Sequence, residues 1–184
     1  MPLQITVPAL RGFNEETSEF IVLKKEQTLV LEHSLVSLSK WESKWKKPLL
    51  TNTNKTIEES IDYIRCMNLT QNVDPSVFTP QRITNAIIDQ VNAYMEDSMT
   101  ATWFSDNGKS KGQREVITAE IIYYWMFAQR VPMECQKWHL NRLLTQLRVC
   151  SEKNAPPKKM SPAEIVARNR KVNAQRLKRM NTKG

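Results

Sequence analysis

Apolar and polar positions alternate at the start of the chain and then change period. Leu3, Ile5 and Val7 alternate with polar neighbours and predict a short strand. Phe20 to Leu23 and Thr28 to Leu31 are β-rich runs separated by Lys24-Lys25-Glu26-Gln27, which predicts a hairpin between them. A sheet this small needs a helix packed on it. From Leu31 the period lengthens. Leu31, Leu35, Leu38, Trp41 and Trp45 recur at spacings of three and four, one face of an amphipathic helix that Pro48 ends.

Thr56 and Glu59 form a capping box before a helix whose inner face carries Ile57, Ile61 and Ile64. Asn72 to Pro75 predicts a turn. Thr79-Pro80 predicts an N-cap and first helical residue, with Ile83, Ile87, Val91 and Tyr94 on the buried face. Met99 to Phe104 is apolar and has no clear period, and Ser105 to Gln113 has the composition of a loop. Val116 to Arg130 is apolar nearly all round, as in a helix central to a bundle or engaged in an assembly. Pro132 breaks it. A further helix from about Met133 to Cys150 places Leu140, Leu143, Leu144 and Leu147 on one face. Ala155-Pro156-Pro157 predicts a stiff linker, and Ser161 with Glu164 a capping box for a last helix.

The expected fold is therefore mainly α. A small N-terminal β element (1–31) precedes a bundle of about five helices (32–154), and a Pro-linked basic helical arm follows (155–184). Only four glycines occur among 184 residues, which suits helices better than many tight turns.

Charge sharpens the division. Residues 1–157 hold 18 basic and 18 acidic residues, so the net charge of +8 falls in 158–184. Its basic residues include Lys158, Lys159, Arg168, Arg170, Lys171, Arg176, Lys178 and Arg179. Phosphate binding, an acidic protein surface and a solvated tail all suit such an arm. Its apolar strip, Ile165, Val172 and Met180, is too thin for a membrane-lying helix. No aromatic follows Trp138, so base stacking by the arm has no support. A protein contact or a loose electrostatic contact is left.

Candidate chemistry is sparse. Asn107-Gly108-Lys109-Ser110 resembles the end of a phosphate loop, but Trp103 stands where the motif needs its first glycine. Cys135 and His139, four apart, could share a zinc ion, but Cys66, Cys150 and His33 form no paired ligand motif with them. A Cys–His nucleophile lacks a third orienting group. Three widely spaced cysteines suggest reduced thiols in a cytosolic compartment. No secretory signal, cofactor motif or metal motif is expected, and nothing points to an enzyme.

Binding is the better expectation. Tyr123, Tyr124, Trp125 and Phe127 lie in the all-round apolar helix. Trp138 lies about 160° from Leu140 on an ideal helix, with Arg142 one turn on for a cation–π contact. A second core layer could cover Trp138, or it could anchor a partner.

Longer stretches carry a resemblance. LEHSLVSLSKWESKWKKP (31–48), IDYIRCMNLTQNVDP (61–75), MTATWF (99–104), ECQKWHLNRLLTQLRVC (134–150) and NAPPKKMS (154–161) are similar to words in tail assembly chaperones of long-tailed, siphovirus-like bacteriophages. The resemblance covers most of the chain. It implies a non-enzymatic protein of the infected host's cytoplasm that binds the tape measure protein, keeps it soluble and helps recruit tail tube subunits. It also implies absence from the mature virion. Self-association in multiple copies is a further option; a membrane partner is not expected and nucleic acid is disfavoured. Two other classes compete: a virion structural protein of the tail or head–tail junction, and a nucleic-acid-binding regulator that uses the basic arm.

Overall fold

A computed structural model describes residues 1–15, 18–51, 54–102, 104, 116–155 and 161–180. The loop expected at 105–113, the phosphate-loop-like 107–110, Pro156, Pro157, Lys158 and Lys159 lie outside the described residues. The chain divides into two compact units, Met1–Ser151 and Glu152–Gly184. The described residues form six α-helices and two small antiparallel strand pairs, a mainly α fold as expected.

Strand β1 (Leu3–Val7) pairs with β4 (Gln27–Leu31), Leu3 facing Leu31 and Val7 facing Gln27. Strand β2 (Leu10–Asn14) pairs with β3 (Glu19–Lys24), Phe13 facing Phe20. The expected hairpin between Phe20–Leu23 and Thr28–Leu31 is not formed. Lys25-Glu26 does not reverse the chain; it carries one long ribbon from its outer half to its inner half. Pro8, without an N–H, interrupts the ladder on the other side. The inner half buries Ile5, Val7, Leu29 and Leu31 in the alternation a half-covered ribbon needs. The outer half is exposed along all of β3.

Helix α1 (Leu35–Trp45) begins four residues later than the periodicity suggested. Leu31 closes β4, and Ser34 caps the helix by exchanging bonds with Ser37. Leu35, Leu38 and Trp41 are buried, and the Trp41 indole N–H donates to the carbonyl of Glu59 at 2.9 Å. Helix α2 (Ile57–Met67) has the expected Thr56–Glu59 box. Ile61 and Ile64 face inward, but Ile57 is exposed.

Helix α3 (Asn85–Glu96) starts from Thr84, not from Thr79-Pro80. The Thr79 carbonyl accepts from the N–H groups of Arg82 and Ile83 and closes a single turn, after which Thr84 is extended. Ile83, Ile87, Val91 and Tyr94 are nevertheless all buried. Helix α4 (Ala119–Ala128) buries one stripe, Ala119, Ile122 and Met126, and is not enclosed on all sides.

The single helix expected from Met133 to Cys150 is two pieces. A 3-10 segment (Met133–Lys137) ends at Trp138, whose backbone is extended, and α5 (Leu140–Asn154) follows. The cause is a tertiary bond. His139 pairs with Ser34 as an isolated antiparallel bridge, and the Leu140 N–H donates to the His33 carbonyl at 2.7 Å. Leu140, Leu143 and Leu147 then close the core.

In the second unit, α6 (Pro162–Met180) begins with the expected capping exchange between Ser161 and Glu164 and buries no residue. Among the described residues, no helix is long and apolar enough to cross a membrane.

Candidate docking surfaces

The outward face of α4 follows from how the helix is anchored. The buried carboxylate of Glu42 in α1 accepts a bond from the Ala119 N–H at 2.7 Å, at the first turn of α4. That fixes Ala119, Ile122 and Met126 inward and turns Tyr124 and Phe127 outward, 67% and 63% exposed. Tyr123 and Trp125 are half-buried against the core. The Tyr123 hydroxyl donates to Gln136 Oε1 at 2.9 Å, and burial raises its pKa.

Trp138 is half-buried rather than enclosed, and the Arg142 guanidinium lies over its ring at 4.4 Å from the centroid. The expected cation–π pair is thus present, although Trp138 precedes α5 and the helical-wheel angle does not apply to it. Of the six sequence-predicted residues, Tyr124, Phe127 and Arg142 are exposed, and Tyr123, Trp125 and Trp138 sit at the core's margin.

A second apolar surface, the outer ribbon, escaped the sequence reading. Phe13 and Phe20 meet edge to face with ring centroids 5.2 Å apart. Phe13, Phe20, Val22 and Leu23 are each more than half exposed. Gly12 leaves a slot that Leu23 fills; a Cβ there would come within 2.8 Å of the Leu23 side chain. The unbroken run Phe20-Ile-Val-Leu23 marked the strand as unusual without saying whether both its faces are buried or both exposed. A strand with one covered face alternates apolar and polar residues, and this one does not.

A buried Arg82 holds the ribbon's waist. It donates to the Pro8 carbonyl at 3.0 and 3.3 Å and to the Lys25 carbonyl at 2.7 Å, one on each side of the break between the ribbon's halves. Lys24 adds an ion pair to Asp74 at 2.8 Å, and this bond holds the Asp74 carboxyl well below its usual range.

Between α1 and α2 lies a cleft of about 310 Å³ walled by Trp45, Phe78, Lys44 and Arg65, with Asp62 among its lining residues. Burial pushes the Asp62 carboxyl up, but bonds from Lys44 and the Trp45 indole outweigh it and leave the acid stronger than usual. The cleft's charged groups already answer one another.

The chain's two histidines also meet, with ring centroids 5.3 Å apart. His33 Nδ1 shares a 2.6 Å hydrogen bond with the Tyr63 hydroxyl, and His139 Nε2 lies 3.1 Å from the Tyr94 carbonyl. Burial, then the neighbouring His139 and Lys55, lowers His33 to about 3. Burial also raises the Tyr63 hydroxyl far above its ordinary range. These groups are neutral and internal at neutral pH, a packed polar node at the junction of β4, α1 and α5. Cys135 and His139 do not share a helix. Among the described residues no cluster of His, Cys, Asp or Glu could hold a metal ion.

On α6, Arg168, Arg170, Lys171, Arg176, Lys178 and Arg179 are all exposed, as are Ile165, Val166, Leu177 and Met180.

Together these features define a mainly helical protein that exposes apolar residues on α4 and the outer ribbon and basic residues on α6. No protein-family model, curated protein or solved structure matches this chain.

Proposed function

We propose that this chain is a tail assembly chaperone of a long-tailed bacteriophage. It acts in the host cytoplasm, binds and solubilises the tape measure protein, helps recruit tail tube subunits and leaves before the virion is complete. The resemblance of 31–48, 61–75, 99–104, 134–150 and 154–161 to that family supplies the identity of the client. The single structural observation in its favour is the outward pair Tyr124 and Phe127 on α4. Large exposed aromatics on a firmly anchored helix suit an amphipathic client helix laid alongside, in the helix-in-groove manner. In this reading five helices act as a bundle that carries the client. The basic helix, with Lys158 and Lys159 before it, is an arm that engages a further protein. No catalytic step is needed.

Co-expression with and without the tape measure protein tests the proposal. The client should accumulate in the soluble fraction only with this chain, and equal solubility without it overturns the reading. The exposed outer ribbon favours a second reading, a structural component of the tail or head–tail junction. Mass spectrometry of purified particles separates the two, since a structural component is retained and a chaperone is not.

A further inference from the structure

Strand β3 is exposed at all six positions, and among the described residues its ladder runs to β2 alone. Among the described residues no strand pairs with the opposite edge. It has no proline, and its charges stand only at the ends, Glu19 on one side and Lys24 with Lys25 on the other. A two-stranded ribbon is marginal in water without further strands or a covering helix.

We infer that β3 pairs with β3 of a second copy of this chain, antiparallel about a two-fold axis at Val22. The register follows from symmetry and charge. Opposed residues of an antiparallel pair point to the same face, so a two-fold axis normal to the sheet must place one residue opposite itself. With Ile21 on the axis, Glu19 faces Leu23 and Lys24 faces Ser18. With Leu23 there, Glu19 faces Gln27 and Lys25 faces Ile21. With Val22 there, the Glu19 end of each strand lies against the Lys24-Lys25 end of the other and Phe20 faces Lys24, while the register shift that leaves Leu23 unpaired with β2 falls just past the axis. This register alone of the three sets opposite charges against each other, and cross-strand charge pairs of this kind favour pairing.

The result is a four-stranded sheet. Val22 of both copies joins the two edge-to-face Phe13–Phe20 pairs into one apolar strip, with Lys24 of each copy beside Phe20 of the other. Arg82, bonded to the Lys25 carbonyl, holds the corner from which the Lys25 side chain projects. One strand edge and one strip form a small interface, so the dimer belongs to the weak, concentration-dependent class. This contact is independent of the client and stands or falls separately from the chaperone reading.

Sedimentation equilibrium of the full chain from about 1 to about 200 µM tests it. A monomer–dimer equilibrium is expected. Glu19→Lys and Lys25→Glu should each weaken it about tenfold, because both end pairs become repulsive. The double reversal Glu19→Lys with Lys25→Glu should restore it, which a general loss of folding would not do. Val22→Cys should give a disulfide-linked dimer on mild oxidation, since residues on the axis have Cα atoms about 5 Å apart. Arg11→Cys, on β2, should not. The inference is overturned by a monomer throughout the range, or by a dimer indifferent to the charge reversals. Protection of the β3 edge amides only when a different protein is added also overturns it.

Discussion

Glu42 and Ala119 are joined across 77 positions of sequence by a 2.7 Å bond from the backbone N–H to the buried carboxylate. The other carboxylate oxygen accepts from the Leu49 N–H at 2.9 Å, so one side chain ends a loop and starts a helix. Glu42→Ala would strand two buried donors and should cost about 3 kcal/mol. Glu42→Gln, which keeps one acceptor oxygen, should cost less. Urea denaturation measures both, with the midpoint moved and the slope unchanged.

The buried histidines predict an acid response. His33 has a folded pKa of about 3 against an ordinary 6.5, so the unfolded chain binds its proton first. Stability is therefore fully present above about pH 6.5 and is lost progressively as pH falls toward 3, by an amount on the order of a few kcal/mol. Burial lowers His139 too, which adds loss of the same sign. Urea midpoints measured between pH 7 and pH 4 should decline, and the decline should flatten in a His33→Gln variant.

Arg82→Ala should loosen the ribbon while leaving the helices folded. Its bonds to the Pro8 and Lys25 carbonyls would be lost, at a cost of about 2 kcal/mol. Hydrogen exchange should quicken in β2 and β3 well before it does in α1 or α5. Uniform quickening would show that Arg82 serves the whole core instead.

Lys46 ends α1 with φ 55°, a left-handed conformation that costs a residue with a side chain. Lys46→Gly should raise stability by up to about 1 kcal/mol, read as a higher melting temperature. Lys46→Val should lower it.

Tyr124→Ser with Phe127→Ser should leave the melting temperature nearly unchanged, because both side chains are exposed. The same double variant should sharply reduce the soluble yield of co-expressed tape measure protein. Full solubilisation by this variant would move the client off α4.

Much of the fold was legible because burial has a period. Leu35, Leu38 and Trp41, and Ile87, Val91 and Tyr94, were named from spacing and are all buried. The errors fall where a distant partner outweighs local pattern. The helix expected through 133–150 breaks at Trp138 and His139 because the Ser34 bridge and the His33 carbonyl claim the backbone there. The Thr79-Pro80 cap is a persuasive local signal, yet the chain spends it on one turn that brings Arg82 to the ribbon. Strand pairing was misassigned for a similar reason: a polar tetrapeptide between two β-rich runs looks like a reversal, whether or not the partner strands lie upstream. Trp138 with Arg142 was found by their spacing of four, although the helix assumed for it was wrong. The outer ribbon's exposure could not be inferred from apolar residues alone, since the same run suits a buried strand.

The bond from Leu140 to His33 also orders events in time. The ribbon and α1 are complete early in synthesis, but their shared seam stays open until the ribosome has released residue 140. Until then the core cluster that holds Leu31, Leu35 and Leu38 lacks Leu140, Leu143 and Leu147. A nascent chain that ends short of α5 therefore exposes apolar positions that the finished fold buries. That core is complete only when the segment from Leu140 to Leu147 arrives.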